Sequence, residues 1–320
     1  MTPAYRLYQM VSRARVALYE KDWLQRRRLK KPVISVGNLA FGGSGMTPFV
    51  LRLASELMER GLRVSILSRG YKRRGRGLMP VSDGVHVVAG VDEAGDEAFL
   101  LAKALPGACV TVCESRHAAG EFAETEHTVD VHILDDGFQH VQLERNLDIV
   151  LMRGDEDLAL RRWREPLEAL RRAHLLVLTG DAWPVEEALV RRFPDLPICK
   201  MRSVHYGFAN AGGNAVAVEW MKEHRWIALA GIARPERFFE DLKRVSLNIA
   251  KTVSYPDHHH PSPADVERLA ADVKALACRG VLMTQKDFYK WEGRGLEVFY
   301  SRVGFPPLPG WVLEKVLKIL

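Results

Sequence analysis

The chain has 320 residues, 47% of them hydrophobic and 27% charged, which excludes a disordered or low-complexity protein and leaves room for more than one core. Lys and Arg number 46 against 40 Asp and Glu, a formal charge of +6 that suits an anionic partner without naming one. The scattered Cys109, Cys113, Cys199 and Cys278 form no CxxC pair, so no disulfide framework is expected and a reducing compartment fits. Neither an apolar run near the ~18 residues of a membrane span nor a secretory signal is present, so the expected location is the cytosol or the cytosolic face of a membrane.

Residues 1–30 read as a basic amphipathic helix. Leu7, Val11, Ala14 and Leu18 recur at helical spacing beside Tyr8, Tyr19, Trp23 and Leu24, among Arg6, Arg13, Arg15, Lys21 and the run Arg26 to Lys31. Such a helix can lie in the interface of an anionic bilayer, or pack on its own domain with a solvated basic face. From Pro32 the pattern becomes β-loop-α. Val33–Val36, Arg63–Leu67, Cys109–Cys113, Asp130–Leu134, Leu147–Met152 and Leu175–Leu178 read as short apolar strands, and residues 48–59 as a helix. The alternation predicts a doubly wound parallel sheet with ligands at the carboxyl ends of its strands. The chain loosens at Gly207, Gly212 and Gly213, which places a larger α/β domain at 31–212, a smaller α/β domain at 213–300 and a C-terminal segment and helix at 301–320.

The strongest local feature is the run from Gly37 to Pro48, with Asn38, Ala40, Phe41, Gly42, Gly43, Ser44, Gly45, Met46 and Thr47 between a strand and a helix. It has the form of a P-loop, whose backbone N–H groups wrap phosphate and whose Thr47 would bind Mg²⁺. Two positions depart from the general pattern: Ala40 replaces the first glycine, and Met46 replaces the lysine. Asp135 and Asp136 close a strand where a P-loop enzyme places its second metal-binding carboxylate, although an Asp-Gly turn would read the same way. Asp257-His258-His259-His260 suits one acid–base histidine better than a metal, since consecutive side chains converge poorly on one ion; a solvated turn is the alternative. Arg69 to Arg76 could clamp phosphate oxygens or stay solvated. RNA binding through this cluster is a poorer fit, because Tyr71 is its one stacking platform.

Taken in order, Val36-Gly-Asn-Leu through Met46-Thr-Pro48, Ser68-Arg-Gly-Tyr71, Gly95-Asp-Glu97, Asp135-Asp-Gly-Phe-Gln-His140, Arg164-Glu-Pro166, Ala230-Gly-Ile232 with Arg237-Phe-Phe239, Asp257-His258 and Thr284-Gln-Lys-Asp287 resemble the tetraacyldisaccharide 4′-kinase family of lipid A biosynthesis. The resemblance implies a P-loop NTPase-like parallel-sheet domain with a second, smaller α/β domain. It implies that MgATP phosphorylates the 4′-hydroxyl of a lipid disaccharide 1-phosphate, forming lipid IVA at the cytoplasmic face of the inner membrane. By motif, Asp96 would be the base and His258 its partner. Thr47, Asp135 and Asp136 would surround Mg²⁺, and Arg69, Arg116, Gln139, His140, Arg164 and Glu165 would lie near phosphates or acceptor. Lys286 and Asp287 belong to a further family motif. The implied partners are the disaccharide precursor and the anionic membrane surface, with no nucleic acid.

The departures are part of the same reading. Family members carry lysine where Met46 stands, an acidic residue followed by a Gly- and Pro-rich loop where Arg153 to Trp163 stand, and glutamate where Gln285 stands. Losing one preorganised contact to developing phosphate charge costs on the order of 10²–10³ in rate. An engineered block at Met46 would leave the altered 153–163 loop unexplained. Two readings remain: an active kinase in which Arg69, Lys72, Arg73 or Arg153 supplies the cation, or a catalytically impaired homologue that binds nucleotide or lipid disaccharide.

Overall fold

A computed structural model describes the chain apart from residues 1–2, 41–42, 156–157 and 159–162, and describes the backbone alone at 3–9 and 12. Chain contacts divide it into two units, residues 1–203 with 305–320, and residues 204–304.

In the first unit, α1 (Pro3–Glu20) precedes β1 (Val33–Asn38), α2 (Met46–Met58), β2 (Val64–Ser68), β3 (Met79–Asp83), α3 (Val91–Ala94), α4 (Asp96–Ala104), β4 (Cys109–Val112) and α5 (Arg116–Glu126). There follow β5 (Val131–Asp135), β6 (Leu147–Arg153), a 3₁₀ turn (Leu167–Arg172), β7 (Leu175–Thr179), α6 (Glu186–Arg192) and β8 (Ile198–Met201). The eight strands run β3-β4-β2-β5-β1-β6-β7-β8, all parallel except β3, which lies antiparallel on β4. Strands covered on both faces need continuous apolar runs rather than alternation. Accordingly Ile34, Val36, Ile149 and Leu151 join the core under α2, while Val150 and Met152 pack on the opposite face with Leu39 and Phe138.

The amphipathic helix stops at Glu20, short of the expected residue 30, and Arg27 instead forms a parallel bridge with Leu143. Leu29 is buried, so residues 27–32 anchor the lead-in to β1. Met10, Val11 and Trp23 stay exposed, at 67%, 61% and 74%.

The second unit contains β9 (Val204–Asn210), β10 (Ala215–Val216), α7 (Val218–Glu223), β11 (Arg225–Ala230), α8 (Pro235–Arg244), β12 (Asn248–Ser254), α9 (Pro263–Ala275), β13 (Gly280–Thr284), α10 (Gln285–Trp291) and β14 (Val298–Gly304). Its sheet runs β10-β9-β14-β13-β11-β12. The pairs β11–β12, β11–β13 and β13–β14 are parallel, and β9 is antiparallel to both β10 and β14. The contact boundary thus falls at 203/204, earlier than the division expected at 212/213. Gly212 and Gly213 belong to the β9–β10 turn, where Gly213 N–H donates to Asn210 O at 2.9 Å.

After β14 the chain rejoins the first unit through α11 (Gly310–Leu317). Phe305, Leu308, Val312 and Val316 enter the core under α2. Arg52 Nε donates to Phe305 O at 2.9 Å, and Leu308 N–H donates to the buried Glu56 carboxylate at 2.6 Å. These contacts give the C-terminal helix the docking site that its sequence does not reveal.

Candidate functional site: a phosphate cradle at the strand ends

The turn between β1 and α2 is built around Gly45, whose φ of +82° is left-handed and open to glycine at little cost. A β-carbon there would also meet the Phe305 ring at 3.0 Å. Asn38 Nδ2 donates to Ser44 Oγ at 3.2 Å, and Thr179 Oγ1, at the end of β7, donates to Ser44 O at 3.0 Å. Ala40 pairs with Trp163 in an antiparallel bridge. Gly43 has open space on its side-chain side, and Met46 and Thr47 occupy the first two positions of α2. Backbone amides at such a helix start favour phosphate. Phe41 and Gly42, expected nucleotide contacts, lie outside the described residues.

Beside the turn, Asp135 ends β5 and is 5% exposed. Burial, then the neighbouring Asp136 and Glu97 carboxylates, push its pKa up to about 7 against the opposing Ser68 hydroxyl and Arg116. Ser68 Oγ donates to Asp135 Oδ2 at 3.1 Å. Asp136 takes a left-handed backbone, φ +52°, and accepts from Arg164 Nη1 at 2.6 and 2.7 Å to its two oxygens. Arg116 opens α5 behind the Ser115 cap and is 5% exposed. Burial pulls its pKa down, while Asp136 and Asp135 oppose that pull. Its Nε and the Asn38 Oδ1 are buried without a hydrogen-bond partner among the described residues. Orphaned buried polar atoms of this kind are costly, and they fit a site completed by a ligand.

The same end of the sheet gathers the remaining expected residues of this unit. Arg69, exposed just past β2, is close enough to act electrostatically on Arg116. Gln139 Nε2 donates to Asn38 O at 2.8 Å. His140 is 8% exposed, and burial followed by Arg116, Arg15, Arg145 and Arg69 lowers its pKa to about 3, so it is neutral at pH 7. Glu165 pairs with Arg172; burial raises its pKa against that partner. Asp96 and Glu97 begin α4, with Asp96 3% exposed. Gly95, φ +85°, lets that helix start approach the Ser68–Tyr71 loop, since a β-carbon would sit 3.0 Å from Tyr71 O.

Other motif residues have structural work. Arg73 is pinned to Gly77 O and to Glu114, its side chain only 2% exposed, so the basic run is a braced loop in part. Within the second unit, His258 has φ +65°, and Lys286 Nζ lies 3.2 Å from Asp257 Oδ1 and 3.4 Å from His258 Nε2. Asp287 is 1% exposed; it accepts from Gly231 N–H at 2.9 Å and pairs with the buried Lys290 at 3.0 Å.

The donor set suits Mg²⁺. Among the described residues no three acid, His or Cys groups converge as an all-protein metal cage. Mg²⁺ in kinases binds instead through one or two carboxylates plus substrate phosphates and water. The repulsion that raises the Asp135 pKa is the kind a divalent cation relieves. Sequence reasoning named Glu97 without giving it a role and missed Thr179. Glu97 was legible as part of the Gly95-Asp-Glu97 motif; Thr179 carries no local signal, because only the β6–β7 pairing brings it to the turn.

The tetraacyldisaccharide-1-P 4′-kinase family profile matches residues 1–310. A tetraacyldisaccharide 4′-kinase of Aquifex aeolicus is 39% identical over 81% of this chain and 82% of its own length. One from Geobacter sulfurreducens is 36% identical over 98% and 91%. The crystal structure of LpxK from Aquifex aeolicus in complex with ATP superposes with a TM-score of 0.80 at 34% identity, covering 99% of this chain and 97% of that one. These relatives carry a kinase name, so the expectation of an impaired, binding-only homologue finds no support among them. Fold, motif order and relatives agree: the chain belongs to the tetraacyldisaccharide-1-P 4′-kinase family.

Proposed function

We propose that this protein transfers the γ-phosphoryl group of ATP to the 4′-hydroxyl of a tetraacyldisaccharide 1-phosphate. The observation that carries this reading is the glycine-rich turn standing beside the buried Asp135 and the half-buried Asp136, whose carboxylates repel each other. Phosphoryl transfer requires positioning and charge neutralisation more than covalent help. The turn's amides and the start of α2 hold the phosphates, and Arg116 and Arg69 face their charge. Thr47, Asp135 and Asp136 would hold Mg²⁺, which when bound would supply neutralisation of the charge developing on the transferred phosphoryl group. Asp96 takes the proton of the 4′-hydroxyl while O4′ bonds to the γ-phosphorus and the bond to the ADP oxygen breaks, its electron pair leaving with ADP. His258, steadied by Asp257 and Lys286 within its own unit, is a proposed acid–base residue of the second unit.

The test is transfer of labelled γ-phosphate to the disaccharide 1-phosphate. Asp96→Asn is expected to lower kcat by about 10²–10⁴, the usual worth of a general base. Absence of transfer by the unsubstituted chain at saturating MgATP would sink the kinase reading.

We further propose that α1 and the segment after it rest on an anionic membrane surface. No described helix is long and apolar enough to cross a membrane, but Met10, Val11 and Trp23 are exposed among Arg13, Arg15 and Arg26–Arg28. A basic face with an apolar, aromatic edge binds such an interface. Met10→Glu with Trp23→Glu should weaken sedimentation with phosphatidylglycerol vesicles; unchanged sedimentation would remove this segment from the account.

A further inference from the structure

The P-loop pattern places lysine immediately before Thr47, where it reaches the β- and γ-phosphates. Methionine fills that position, and its side chain packs against the core under α2. A cation able to substitute must stand on the same crest of strand ends and on the α2 side of the sheet. β6 meets both demands. Leu151, paired with Asn38 of β1, faces the core under α2, and side chains two apart on a strand share a face, so Arg153 emerges on that side at the end of β6. Arg153 is the register partner of Thr179, the residue whose hydroxyl donates to Ser44 O at 3.0 Å. Its Nη2 lies 3.2 Å from where a β-carbon on Gly180 would stand. The turn therefore reaches across the end of the strand from which Arg153 projects.

The other expected cations are placed differently. Arg73 is locked to Gly77 and Glu114. Lys72 Nζ lies over the Tyr71 ring, 5.8 Å from its centroid. Arg164 spans both oxygens of Asp136, and Arg69 and Arg116 stand on the β2–β4 side of β1. Arg153 is paired with Asp155, their side chains 18% and 26% exposed. A guanidinium held by a carboxylate two residues on is within reach of a competing, more highly charged acceptor, and its planar fork suits phosphate oxygens.

We propose that Arg153 supplies the cation missing from this P-loop, contacting the β/γ-phosphates of the bound nucleotide in place of the lysine. The inference rests on the kinase reading for its catalytic consequence but not for its binding consequence, so both are measured. In the transfer assay, Arg153→Met lowers kcat by about 10², the scale of one lost preorganised contact. Arg153→Lys keeps most of the rate, and adding Met46→Lys to Arg153→Met restores at least about tenfold. By calorimetry, Arg153→Met weakens binding of the non-hydrolysable triphosphate AMP-PNP about tenfold while leaving AMP binding unmoved, and Met46→Lys reverses that loss. A lysine at position 46 would not repair a purely structural defect around Arg153. The proposal is overturned if Arg153→Met binds AMP-PNP within threefold of the parent, or if Met46→Lys restores neither binding nor rate. An inactive parent that still shows the rescued AMP-PNP loss would refute the kinase reading and leave the phosphate contact standing.

Discussion

Both units bury charged side chains at strand ends, yet they treat them in opposite ways. In the second unit, Asp287 is held by three partners: Gly231 N–H, the Thr284 hydroxyl at 2.7 Å and, as an ion pair, Lys290 at 3.0 Å. In the first, Asp135 is pushed up to about 7 by burial and by the carboxylates beside it. Arg116 is pulled down by burial, with its Nε left without a hydrogen-bond partner among the described residues. Satisfied buried charge fixes a fold, whereas unsatisfied buried charge is tolerated where a ligand completes it. The contrast separates two aspartates that both follow or end an apolar strand.

Lys290→Met tests the satisfied cluster and should have the larger effect. Removing one partner of a buried pair leaves the other uncompensated, so unfolding stability should fall by about 3 kcal/mol, read by denaturant titration. A change under about 1 kcal/mol would show that the hydrogen bonds from Gly231 and Thr284 suffice for Asp287.

Asp135→Asn tests the unsatisfied cluster and should move stability the other way, by a smaller amount. The folded-state pKa of Asp135 lies above its ordinary carboxylate value. Its contribution therefore favours the fold below about pH 4 and is lost as pH rises through about 7. In EDTA at pH 8, Asp135→Asn should melt a few degrees higher than the parent, roughly 1 kcal/mol of difference, with little difference at pH 4. Magnesium and ATP should erase that advantage by stabilising the parent alone, because Mg²⁺ favours the ionised carboxylate. For the same reason magnesium affinity should rise between pH 6 and pH 8. Equal melting of the two proteins at both pH values would remove the strained-carboxylate account.

The sequence made the inner strands of the first sheet legible because strands covered on both faces must be apolar along their length, as at Val33–Val36 and Leu175–Leu178. It missed β3, an edge strand of mixed polarity from Met79 to Asp83, and it read the β9–β10 turn as a linker because glycine serves both. Of the candidate site, the glycine-rich turn and Asp135-Asp136 stood out through local spacing, and Asp96 only through the family resemblance. The arginines of the 69–76 run did not separate by sequence: Arg73 is a brace and Arg69 faces the strand ends, and that distinction depends on Glu114, 41 residues from Arg73.

What the sequence determined by itself is what short-range chemistry dictates: a parallel α/β sheet, a phosphate-wrapping turn, and the absence of its lysine at Met46. What the tertiary structure decided is which distant side chains stand beside that turn. Thr179 reaches Ser44 across 135 residues, and Phe305 closes on Gly45 from the far end of the chain. The physical reason is that a parallel sheet sets its strand ends side by side in an order unrelated to their order in sequence, here with β6 and β7 next to β1. Charge and hydrogen-bond partners at that edge are therefore assigned by strand pairing, and it is strand pairing that sets Arg153 beside Thr179, whose hydroxyl reaches the turn where a lysine is missing.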